Sequence, residues 1–452
     1  MTRALRVRSA PGADLVHHAR RARPGCMRLL VSMPTLLAIN NYFYRRGGSE
    51  AVFFEHNRLL AEAGWEVVPF SMQDAKNEPT PWASHFITST EARSGVFGTL
   101  GRALGAVYSV EAARRLGRLL REVRPDIAHA HNLYHHLSPS VLVELKRRDI
   151  PTVMTLHDLK LACPAYKMHT QGAVCESCRD GHLSHVIAKR CIKDSLAQSA
   201  LVWLESSLHR ALGLYARTVT RFVVPSRFFI AKFADWGFDT STFVHIPNSV
   251  EIPARGCHPV EDAYVYAGRL VPEKGLATLI RAAARARVRL KIVGTGFQEP
   301  ELKRLAHDLK GDIEFTGYLT GERLHETISR ARAVVVPSEW YENAPMSVME
   351  ASALGRPVIG ADIGGIPELI RPGETGFVFR SGNVDSLVQT LEHVSARPLG
   401  ELEQMGEAGR AWMRDAFSPL AYRRRVLELY RSLGIRCSER QQADRDKEIE
   451  EV

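Results

Sequence analysis

The sequence contains no apolar run of about 18 residues, so it predicts no helix that spans a membrane. It also has no long block of basic residues, because its 60 Lys and Arg and its 50 Asp and Glu are spread along the chain. The net charge of +10 suits an anionic partner, and nucleic acid, an acidic membrane surface or a phosphorylated substrate would each fit it. The net charge therefore does not decide between these classes of partner.

Two nucleotide-related signatures are incomplete or missing. Gly294 and Gly296 follow a predicted strand but lack the third glycine of the dinucleotide fingerprint, which disfavours an NAD-dependent oxidoreductase. No motif interleaves aromatic with basic residues, which disfavours nucleic-acid binding. The two glycines fit a plain turn as well as a close approach of the backbone to a nucleotide.

A chain of 452 residues indicates two domains. From Met27 onward, short β-branched runs alternate with amphipathic segments such as 49–63 and 102–123, which predicts parallel βαβ units covered on both faces. The candidate strands are Arg28–Met33, Glu66–Phe70, Asp126–Ala130, Thr152–Leu156, Arg221–Val224, Ala263–Tyr266, Val288–Val293, Ile313–Phe315, Ala333–Val336 and Pro357–Gly360.

Residues 245–259 are rich in Pro and turn residues and predict a linker between two similar halves. The expected fold is therefore α/β, with two facing Rossmann-like domains at 27–250 and 258–417 and a ligand cleft near the carboxyl ends of their strands. A helix at 418–435 is expected to pack back on the first domain.

Both ends of the sequence are predicted to be disordered, over residues 1–26 and 436–452. The apolar run at 29–39 predicts a first strand, because a glycine loop and a helix follow it, and a secretion signal is the alternative.

The loop after the strand Ala263–Tyr266 carries Gly268, Arg269 and Lys274. Glycine permits a tight turn there, and the two cations would then project near the end of a parallel strand, where ligands bind. An Arg fork and a Lys point charge suit a diphosphate. Taken alone, loop cations of this kind are usually just solvated.

The stretch WYENAPMSVME, residues 340–350, places Glu342 and Glu350 around a predicted helix start. With Asn343 as the N-cap and Pro345 in the first turn, the free N–H groups at 344–346 would form an anion site. Glu350 would then lie about 10 Å further along the helix, a span that fits a nucleotide-sugar. Alternatively, Glu350 faces solvent and Glu342 only favours the positive end of the helix.

Taken in chain order, these loops and several others resemble the motifs of a retaining glycosyltransferase of family 4, which has the GT-B fold. The resemblance covers about residues 27–433. The matching segments are Gly47-Gly48-Ser49-Glu50, His157-Asp158, Val224-Pro225-Ser226, Pro247-Asn248, Gly268-Arg269-Leu270, Glu273-Lys274-Gly275, Gly294-Thr295-Gly296, the pair Glu342 and Glu350, and Gly364-Gly365-Ile366-Pro367-Glu368.

The resemblance implies that the second domain binds a nucleotide-sugar. Arg269 and Lys274 would hold the diphosphate, Glu350 the ribose, and Glu342 the donor sugar, with His157 near that sugar from the first domain. The glycine loop would close over phosphate and acceptor. The other donor-binding residues implied in this way are Gly47, Gly48, Gly268, Gly294, Gly296, Asn343, Ala344, Pro345 and Met346.

Two segments depart from the commoner family pattern. The linker has Ser249 where glycine often follows the Asn, and residues 342–350 read ENAPMSVME in place of the frequent EGFG form. These departures leave the identity of the donor sugar open.

The favoured function is a cytoplasmic glycosyltransferase that moves a sugar from a UDP-, GDP- or ADP-linked donor to a glycan or lipid-linked acceptor with retention, and that needs no catalytic cofactor. The alternative is a non-catalytic protein that binds a nucleotide-sugar. The basic amphipathic stretch at 102–123 could contact an anionic membrane peripherally, but a core-packed helix with an Arg-rich outer face is the favoured interpretation.

Four of the seven cysteines fall within 29 residues, in an insert at about 160–195 that follows His157-Asp158. They are Cys163, Cys175, Cys178 and Cys191, and their C-x2-C pair with two flanking cysteines fits a structural zinc site. Reduced unligated thiols, disulfides and an iron–sulfur cluster are the alternatives. The resemblance extends to some members of the family that carry a similar insert at this place.

Overall fold

A computed structural model describes residues 33–89, 105, 107–254 and 258–436. The predicted disorder at 1–26 and at 437–452 lies outside these residues, as do residues 28–32 of the first predicted strand and residues 102–104 and 106 of the basic stretch.

The first sheet has six parallel strands in the order β2-β1-β3-β4-β7-β8. The β-branched and aromatic residues of each strand fill both faces of the sheet, as expected for parallel strands covered on both sides. The strands are β1 (Thr35–Ile39), β2 (Glu66–Phe70), β3 (Ile127–Ala130), β4 (Thr152–Thr155), β7 (Arg221–Val224) and β8 (Phe243–His245).

The second sheet also has six parallel strands, in the order β11-β10-β9-β12-β13-β14. The chain starts in the middle of this sheet, fills one side, and then returns to fill the other, which is the Rossmann arrangement. The strands are β9 (Ala263–Ala267), β10 (Arg289–Val293), β11 (Ile313–Gly317), β12 (Ala333–Val336), β13 (Val358–Ala361) and β14 (Gly376–Phe379).

Helices connect successive strands and cover both faces of each sheet. In the first half they are α1 (Gly48–Glu62), α2 (Val110–Glu122), α3 (Ser140–Lys146), α4 (His185–Ala188), α5 (Leu196–Ala211), α6 (Leu214–Thr218) and α7 (Arg227–Asp235). In the second half they are α8 (Leu276–Ala286), α9 (Glu299–Asp308), α10 (Gly321–Ser329), α11 (Met346–Ala353), α12 (Val384–Ser395), α13 (Leu399–Phe417) and α14 (Pro419–Ser432).

Two strands of the parallel sheets were not predicted from the sequence, and both lie at a sheet edge. The strand β8 is three residues long and only half-buried, so its hydrophobic signal is weak. The strand β14 begins at a glycine, a residue that is depleted in strands. The bounds predicted for the first strand, Arg28–Met33, are wrong, because β1 is Thr35–Ile39 in the later part of the same apolar run. The remaining differences are shifts of one or two positions at the strand ends.

The last helix, α14, covers one face of the first sheet. Its Tyr422, Val426, Leu427 and Tyr430 are buried in a cluster with alternate residues of β1, such as Leu36. The opposite residues of β1 belong to a separate core on the other face. A helix from the end of the chain thus completes the core of the first domain.

Between β4 and α5 lies the cysteine-rich insert. It contains a short antiparallel hairpin, β5 (His169–Thr170) with β6 (Ala173–Val174), and otherwise mainly turns and α4. No helix among the described residues is long and apolar enough to cross a bilayer.

Candidate functional site

Strand order fixes the position of the site. In the second sheet, strands are added on one side of β9 and then, from β12 onward, on the other side. The loops after the neighbouring strands β9 and β12 therefore lead in opposite directions and leave a crevice between them. The loop after β9 carries Gly268 to Lys274, and the loop after β12 carries Ser338 to Pro345. In the first sheet, the loops after β1, β3 and β4 carry Gly47, His131 and His157. Each predicted motif therefore follows a strand end.

The two sets of loops face each other across a cleft of about 800 Å³. The sequence-predicted residues that line it are Gly47, Gly48, His157, Gly268, Arg269, Lys274, Gly294, Glu342, Asn343, Ala344, Pro345, Met346 and Glu350. Gly296, which was predicted to bind the donor with them, does not line it, and neither do the four insert cysteines.

A buried ion pair lies at the switch point. Nζ of Lys274 is 2.6 Å from Oε1 of Glu342, and the Ser338 hydroxyl donates to the same oxygen at 2.7 Å. Burial opposes ionisation of Glu342, but the Lys274 ammonium and these hydrogen bonds outweigh it and hold its pKa below the ordinary value. The cleft therefore presents an ionised carboxylate whose nearest cation comes from the neighbouring loop.

Gly364 and Gly365 have no side chains, so their backbone packs directly against the loop that carries Glu342. The Gly365 amide donates to the Glu342 carbonyl at 2.8 Å, and a Cβ on Gly365 would meet the Asn343 carbonyl oxygen at 1.8 Å. Gly364 has a φ of +62° and would clash with the Glu342 backbone if it carried a Cβ. This glycine pair therefore fixes the backbone position of the loop that carries Glu342.

The cap prediction for the helix after Glu342 is wrong. The helix α11 starts at Met346 with Pro345 as its N-cap residue, and no side chain caps it. Asn343 instead bridges the two domains, since its Oδ1 accepts from Ser226 at 2.8 Å and its Nδ2 donates to the Leu156 carbonyl at 2.9 Å. The free N–H groups of α11 thus lie one or two residues later than predicted.

Glu350 occupies the second turn of α11 and lines the cleft. Its carboxylate makes no hydrogen bond to the described part of the chain, and burial raises its pKa. A half-buried acceptor without a protein partner is suited to receive hydroxyl donors from a ligand.

The glycines in the loop after β10 let that loop lie close against the loop after β9. Gly294 has a φ of +132°, and a Cβ there would meet the Gly268 carbonyl oxygen at 1.9 Å. A Cβ on Gly296 would meet the Leu270 carbonyl oxygen at 2.1 Å. Both are therefore needed so that the Arg269 loop and the next loop can lie side by side, whether or not a nucleotide is present.

A histidine pair forms the opposite wall. Nε2 of His157 lies 2.9 Å from Nδ1 of His131, with the two rings stacked. Burial lowers the pKa of His157 to about 4, and burial together with the neighbouring imidazoles holds the pKa of His131 well below the ordinary value. Both rings are therefore neutral near pH 7.

The hydrogen bonds determine which nitrogens carry protons. Nε2 of His131 is buried without a partner, and an orphaned N–H costs more than an orphaned lone pair, so the proton of His131 lies on Nδ1. It is donated to Nε2 of His157, which places the proton of His157 on Nδ1. That nitrogen has no partner among the described residues, so His157 offers an N–H donor to the cleft.

Behind this pair, His56, His129 and His131 bring ring nitrogens within 4.8 Å of one another, a spacing that could hold a metal. However, both nitrogens of His56 and His129 already pair with hydroxyls, from Tyr422, Tyr430 and Thr155, at 2.6 to 3.2 Å. A network of neutral, hydrogen-bonded imidazoles accounts for the cluster. The sequence signal for it is the HAH run at the end of β3, which the motif pattern did not include.

The cysteine insert contacts the loops after β9 and β12 through polar side chains. Glu176 accepts a hydrogen bond from the Tyr341 hydroxyl at 2.6 Å, next to Glu342 in the chain. Lys167 pairs with Glu273 at 2.7 Å, next to Lys274. The insert therefore supports both loops that supply the buried ion pair.

The four insert cysteines are unpaired and line one small cavity of about 20 Å³, together with His169 and His185. Their sulfur atoms do not form a group of three within 4.8 Å, unlike the histidine nitrogens, among the residues that the structure describes. Lys189 donates to Cys175 at 3.3 Å; burial alone would raise the pKa of that thiol, but this contact and Ser177 lower it. A metal bound by all four sulfurs would require them to move closer together.

Several cleft residues were not predicted. Arg46 and Asn132 line the side formed by the first domain, and Tyr318, His325 and Trp340 line the side formed by the second. Most lie in loops at the carboxyl ends of strands, so strand position was the signal that could have found them.

Two family models match the chain. Residues 46–252 match Glycosyltransferase Family 4, and residues 258–412 match Glycosyl transferases group 1. The boundary between the two matches falls within the predicted linker at 245–259.

Related proteins and structures agree with these matches. A GDP-mannose-dependent monoacylated alpha-(1-6)-phosphatidylinositol monomannoside mannosyltransferase of Corynebacterium glutamicum is 33% identical over 196 residues, which is 38% of this chain. The chain spans about half the length of that relative, at 51%.

Among solved structures, sucrose-phosphate synthase from Thermosynechococcus elongatus superposes with a TM-score of 0.67 at 21% identity, covering 89% of this chain and 99% of that one. Anabaena HepE in complex with UDP gives a TM-score of 0.62 at 17% identity, covering 88% and 100%. Identities this low show a shared fold and nothing more. With its two parallel Rossmann-like sheets and matches to both family models, the chain belongs to glycosyltransferase family 4 and has the GT-B fold.

Proposed function

We propose that this protein transfers a sugar from a nucleotide-sugar donor to a hydroxyl of a glycan or lipid-linked acceptor, with retention of the anomeric configuration. The observation that carries the proposal is the Lys274–Glu342 pair at the switch point of the second sheet, opposite the N–H of His157. Carboxylate, ammonium and imidazole meet here in a cleft large enough for a nucleotide-sugar.

The donor would lie along α11. Glu350 would accept the ribose hydroxyls, Arg269 and Lys274 would hold the diphosphate, and Glu342 with the N-terminal amides of α11 would contact the sugar. His157 would donate from Nδ1 to a sugar hydroxyl. Gly47 and Gly48 would close over the phosphate and the acceptor.

The proposed reaction mechanism follows from the charges that develop when the donor bond breaks. As the bond between the anomeric carbon and the diphosphate oxygen breaks, the carbon becomes oxocarbenium-like and negative charge builds on the leaving oxygen. Arg269 and Lys274 would stabilise that charge most strongly in the transition state. The acceptor hydroxyl attacks the same face, and its proton passes to the leaving diphosphate oxygen. Neither a protein nucleophile nor a catalytic cofactor is assigned in this mechanism.

The donor base remains to be identified. One relative is named as GDP-mannose-dependent, and one structural neighbour was crystallised with UDP. UDP-, GDP- and ADP-sugars are therefore the candidates. The sugar preference is expected to depend on Asn343 to Met346, which form the cleft wall next to Glu342.

A thermal-shift and hydrolysis panel of these donors, with NAD(H) alongside, tests the proposal. A donor present at about 100 times its dissociation constant should stabilise the protein by roughly 2.7 kcal/mol, so the thermal midpoint should rise clearly. Slow release of the free sugar should accompany the shift, and the product with an acceptor should keep the donor's anomeric configuration.

Matched variants make the panel specific. Lys274→Ala should abolish the response to the donor, whereas Lys291→Ala should preserve it, because Lys291 pairs with Glu261 and does not line the cleft. Stabilisation by NAD(H) alone would overturn the proposal, and an inverted product would overturn its same-face step. Donor stabilisation without any transfer or hydrolysis would instead favour the non-catalytic alternative.

A structural zinc ion in the cysteine insert remains part of the proposal. Cys163, Cys175, Cys178 and Cys191 would be its ligands, and the ion would order an insert that rests mainly on turns. Metal analysis of protein purified without chelators tests this idea. The expected result is about one zinc per chain, and the absence of bound zinc or iron would leave the reduced thiols as the answer.

The proposal places the protein in the cytoplasm, at the inner face of the membrane where a lipid-linked acceptor would be met. The four described cysteines form no disulfides, which suits a reducing compartment. Cell fractionation with an epitope-tagged chain tests this location, and recovery from the culture medium would contradict it.

A further inference from the structure

The helix α5 buries polar side chains and exposes apolar ones. Its buried residues are Ser199, Val202, Glu205 and His209, three of which are polar. An ordinary surface helix buries its apolar stripe and exposes its polar one. The apolar residues on the outward side of such a helix therefore call for an explanation.

Each buried polar residue of α5 has a partner in the chain, with both contacts of Glu205 made through Oε2, and these contacts fix the orientation of the helix. Glu205 lies 3.2 Å from Nζ of the buried Lys160 and 3.0 Å from Nδ1 of His135. His209 contacts the Val107 carbonyl at 2.6 Å. A rotation of the helix would leave a buried ammonium without its carboxylate, which is far more costly than exposing leucines.

The outward face of α5 carries the large apolar side chains that a surface helix usually buries. Five of the fourteen large apolar side chains exposed in the described part of the chain lie on α5 and its C-terminal cap, so they form a patch rather than a scatter. They are Leu196 (52% exposed), Trp203 (36%), Leu204 (50%), Leu208 (38%) and Leu212 (47%).

The charges around this stripe are mostly positive. Arg190 and Lys193 precede the helix, and Arg210 and Arg217 lie at its far end, all of them exposed. None of these four forms an ion pair with an acidic residue within the described chain, and Asp194 is the one exposed acid close to them in sequence. Leucines and a tryptophan flanked by arginines and lysines match the headgroup region of an anionic bilayer.

We propose that the outer face of α5, comprising Leu196, Trp203, Leu204, Leu208 and Leu212, docks onto an anionic membrane surface. The apolar side chains would enter the headgroup boundary while the flanking cations contact lipid phosphates. The helix lies in the plane of the membrane and does not cross it. The membrane contact is thus assigned to α5, and not to the stretch at 102–123, where the sequence offered it only as the alternative to a core-packed helix.

One link between α5 and the cleft is the side chain of Lys160. Lys160, which pairs with Glu205, follows the cleft residue His157 by three positions. Docking of α5 would therefore bring the acceptor side of the cleft close to the membrane. The surface itself is argued without reference to catalysis, and it can hold even if the proposed function fails.

Vesicle co-sedimentation of the full chain tests the proposal, without any donor or acceptor. The probes are vesicles of phosphatidylcholine alone and vesicles that also contain phosphatidylglycerol, at low salt. The protein should bind the anionic vesicles, lose binding as salt is added, and bind pure phosphatidylcholine weakly. The double variant Leu204→Ser/Leu208→Ser should bind at least about tenfold more weakly.

A matched control uses leucines of similar exposure on the second domain. Leu309→Ser/Leu399→Ser removes side chains that are 41% and 42% exposed, and it should leave vesicle binding unchanged. Both double variants should keep the thermal midpoint of the parent, which shows that they fold. In a third variant, Trp203→Phe, the blue shift of tryptophan fluorescence on vesicle binding should largely disappear.

Three outcomes would overturn the proposal. The parent chain could fail to bind anionic vesicles, or the Leu204→Ser/Leu208→Ser variant could bind as well as the parent. Light scattering could instead show a dimer that this variant converts to a monomer, which would make a second copy of the chain the occupant of the stripe.

Discussion

At the residue scale, the site depends on which groups are ionised and which nitrogens carry protons. Glu342 is held ionised by Lys274, and His157 is held neutral by burial. The sequence identified these three residues, but it could not show that Lys274 and Glu342 pair, because 68 residues separate them in the chain. It also missed His131, which is assigned here to fix the proton of His157.

The role of His131 predicts a difference between two substitutions. His131→Asn can place an amide N–H near the position of Nδ1 and should keep most of the activity. His131→Leu removes the donor to Nε2 of His157 and should lower kcat by about tenfold, since one buried hydrogen bond contributes roughly 0.5–1.5 kcal/mol.

Steady-state kinetics and nitrogen NMR of the imidazoles provide the check. The NMR spectrum of the parent should show the Nδ1–H tautomer for His157, and that of His131→Leu a mixture of tautomers. Equal losses in both variants would mean that His131 only fills space.

Glu350 gives a second prediction at this scale. Glu350→Gln keeps the shape of the side chain but weakens its acceptance of ribose hydroxyls, so the KM for the donor should rise about tenfold with a much smaller change in kcat. Glu301→Gln, on the surface of α9, is the matched control and should change neither constant. An equal fall in kcat would place Glu350 in the chemistry instead of in ribose binding.

At the element scale, loops after strand ends carry the site, and glycines set how closely those loops approach. The sequence located the loops well, because a β-branched run followed by Gly predicts where a strand ends. It could not tell a glycine that faces a ligand from one that faces another loop. Gly296 and Gly365 belong to the second kind, and only the position of the neighbouring backbone reveals it.

Gly365 can be compared with a glycine that has free space. Gly365→Ala forces a Cβ into the Asn343 carbonyl and should displace Glu342, with a loss of donor binding and a destabilisation of about 1–3 kcal/mol. Gly400→Ala, near the start of α13, meets no atom within 4 Å and should be neutral or slightly stabilising. Thermal unfolding and donor titration of both variants measure the difference, and an unaffected Gly365→Ala protein would refute the packing account.

At the scale of the whole molecule, two segments connect parts that are distant in sequence. The helix α14 buries Tyr430 against the first sheet, where its hydroxyl lies 2.6 Å from Nδ1 of His129. The cysteine insert links the first domain to the loops of Lys274 and Glu342. Both connections act on the site from outside it. The sequence predicted that a helix at 418–435 packs back on the first domain, but no local motif indicated the contacts that the insert makes with the two loops.

The buried histidines make the stability of the whole protein dependent on pH. Burial lowers the pKa of His56 to about 3, and it lowers those of His129 and His131 well below the ordinary value. As pH falls below about 6.5, the unfolded chain takes up protons that the folded chain refuses, so stability decreases by up to roughly 1.4 kcal/mol per pH unit for each histidine. Above pH 7 this contribution is constant.

Thermal midpoints measured from pH 5 to pH 8 should therefore fall steeply below pH 6.5. His56→Gln should reduce the slope in that window, even if it lowers stability at pH 7. His307→Gln, which removes an exposed histidine, should leave the slope unchanged. A flat profile between pH 5 and pH 6.5 would contradict the neutral state of the buried cluster.

The sequence by itself determined the alternation of strands and helices, the two halves and their linker, and the loops that hold Arg269, Lys274, Glu342 and Glu350. These features are local, because hydrophobic periodicity and turn residues act over a few positions. The tertiary structure alone decided the Lys274–Glu342 pair, the bridging role of Asn343, the proton on His157 and the outward stripe of α5. Each of these depends on atoms from distant segments that meet only when both sheets have packed, and that meeting leaves no periodic signal in the chain.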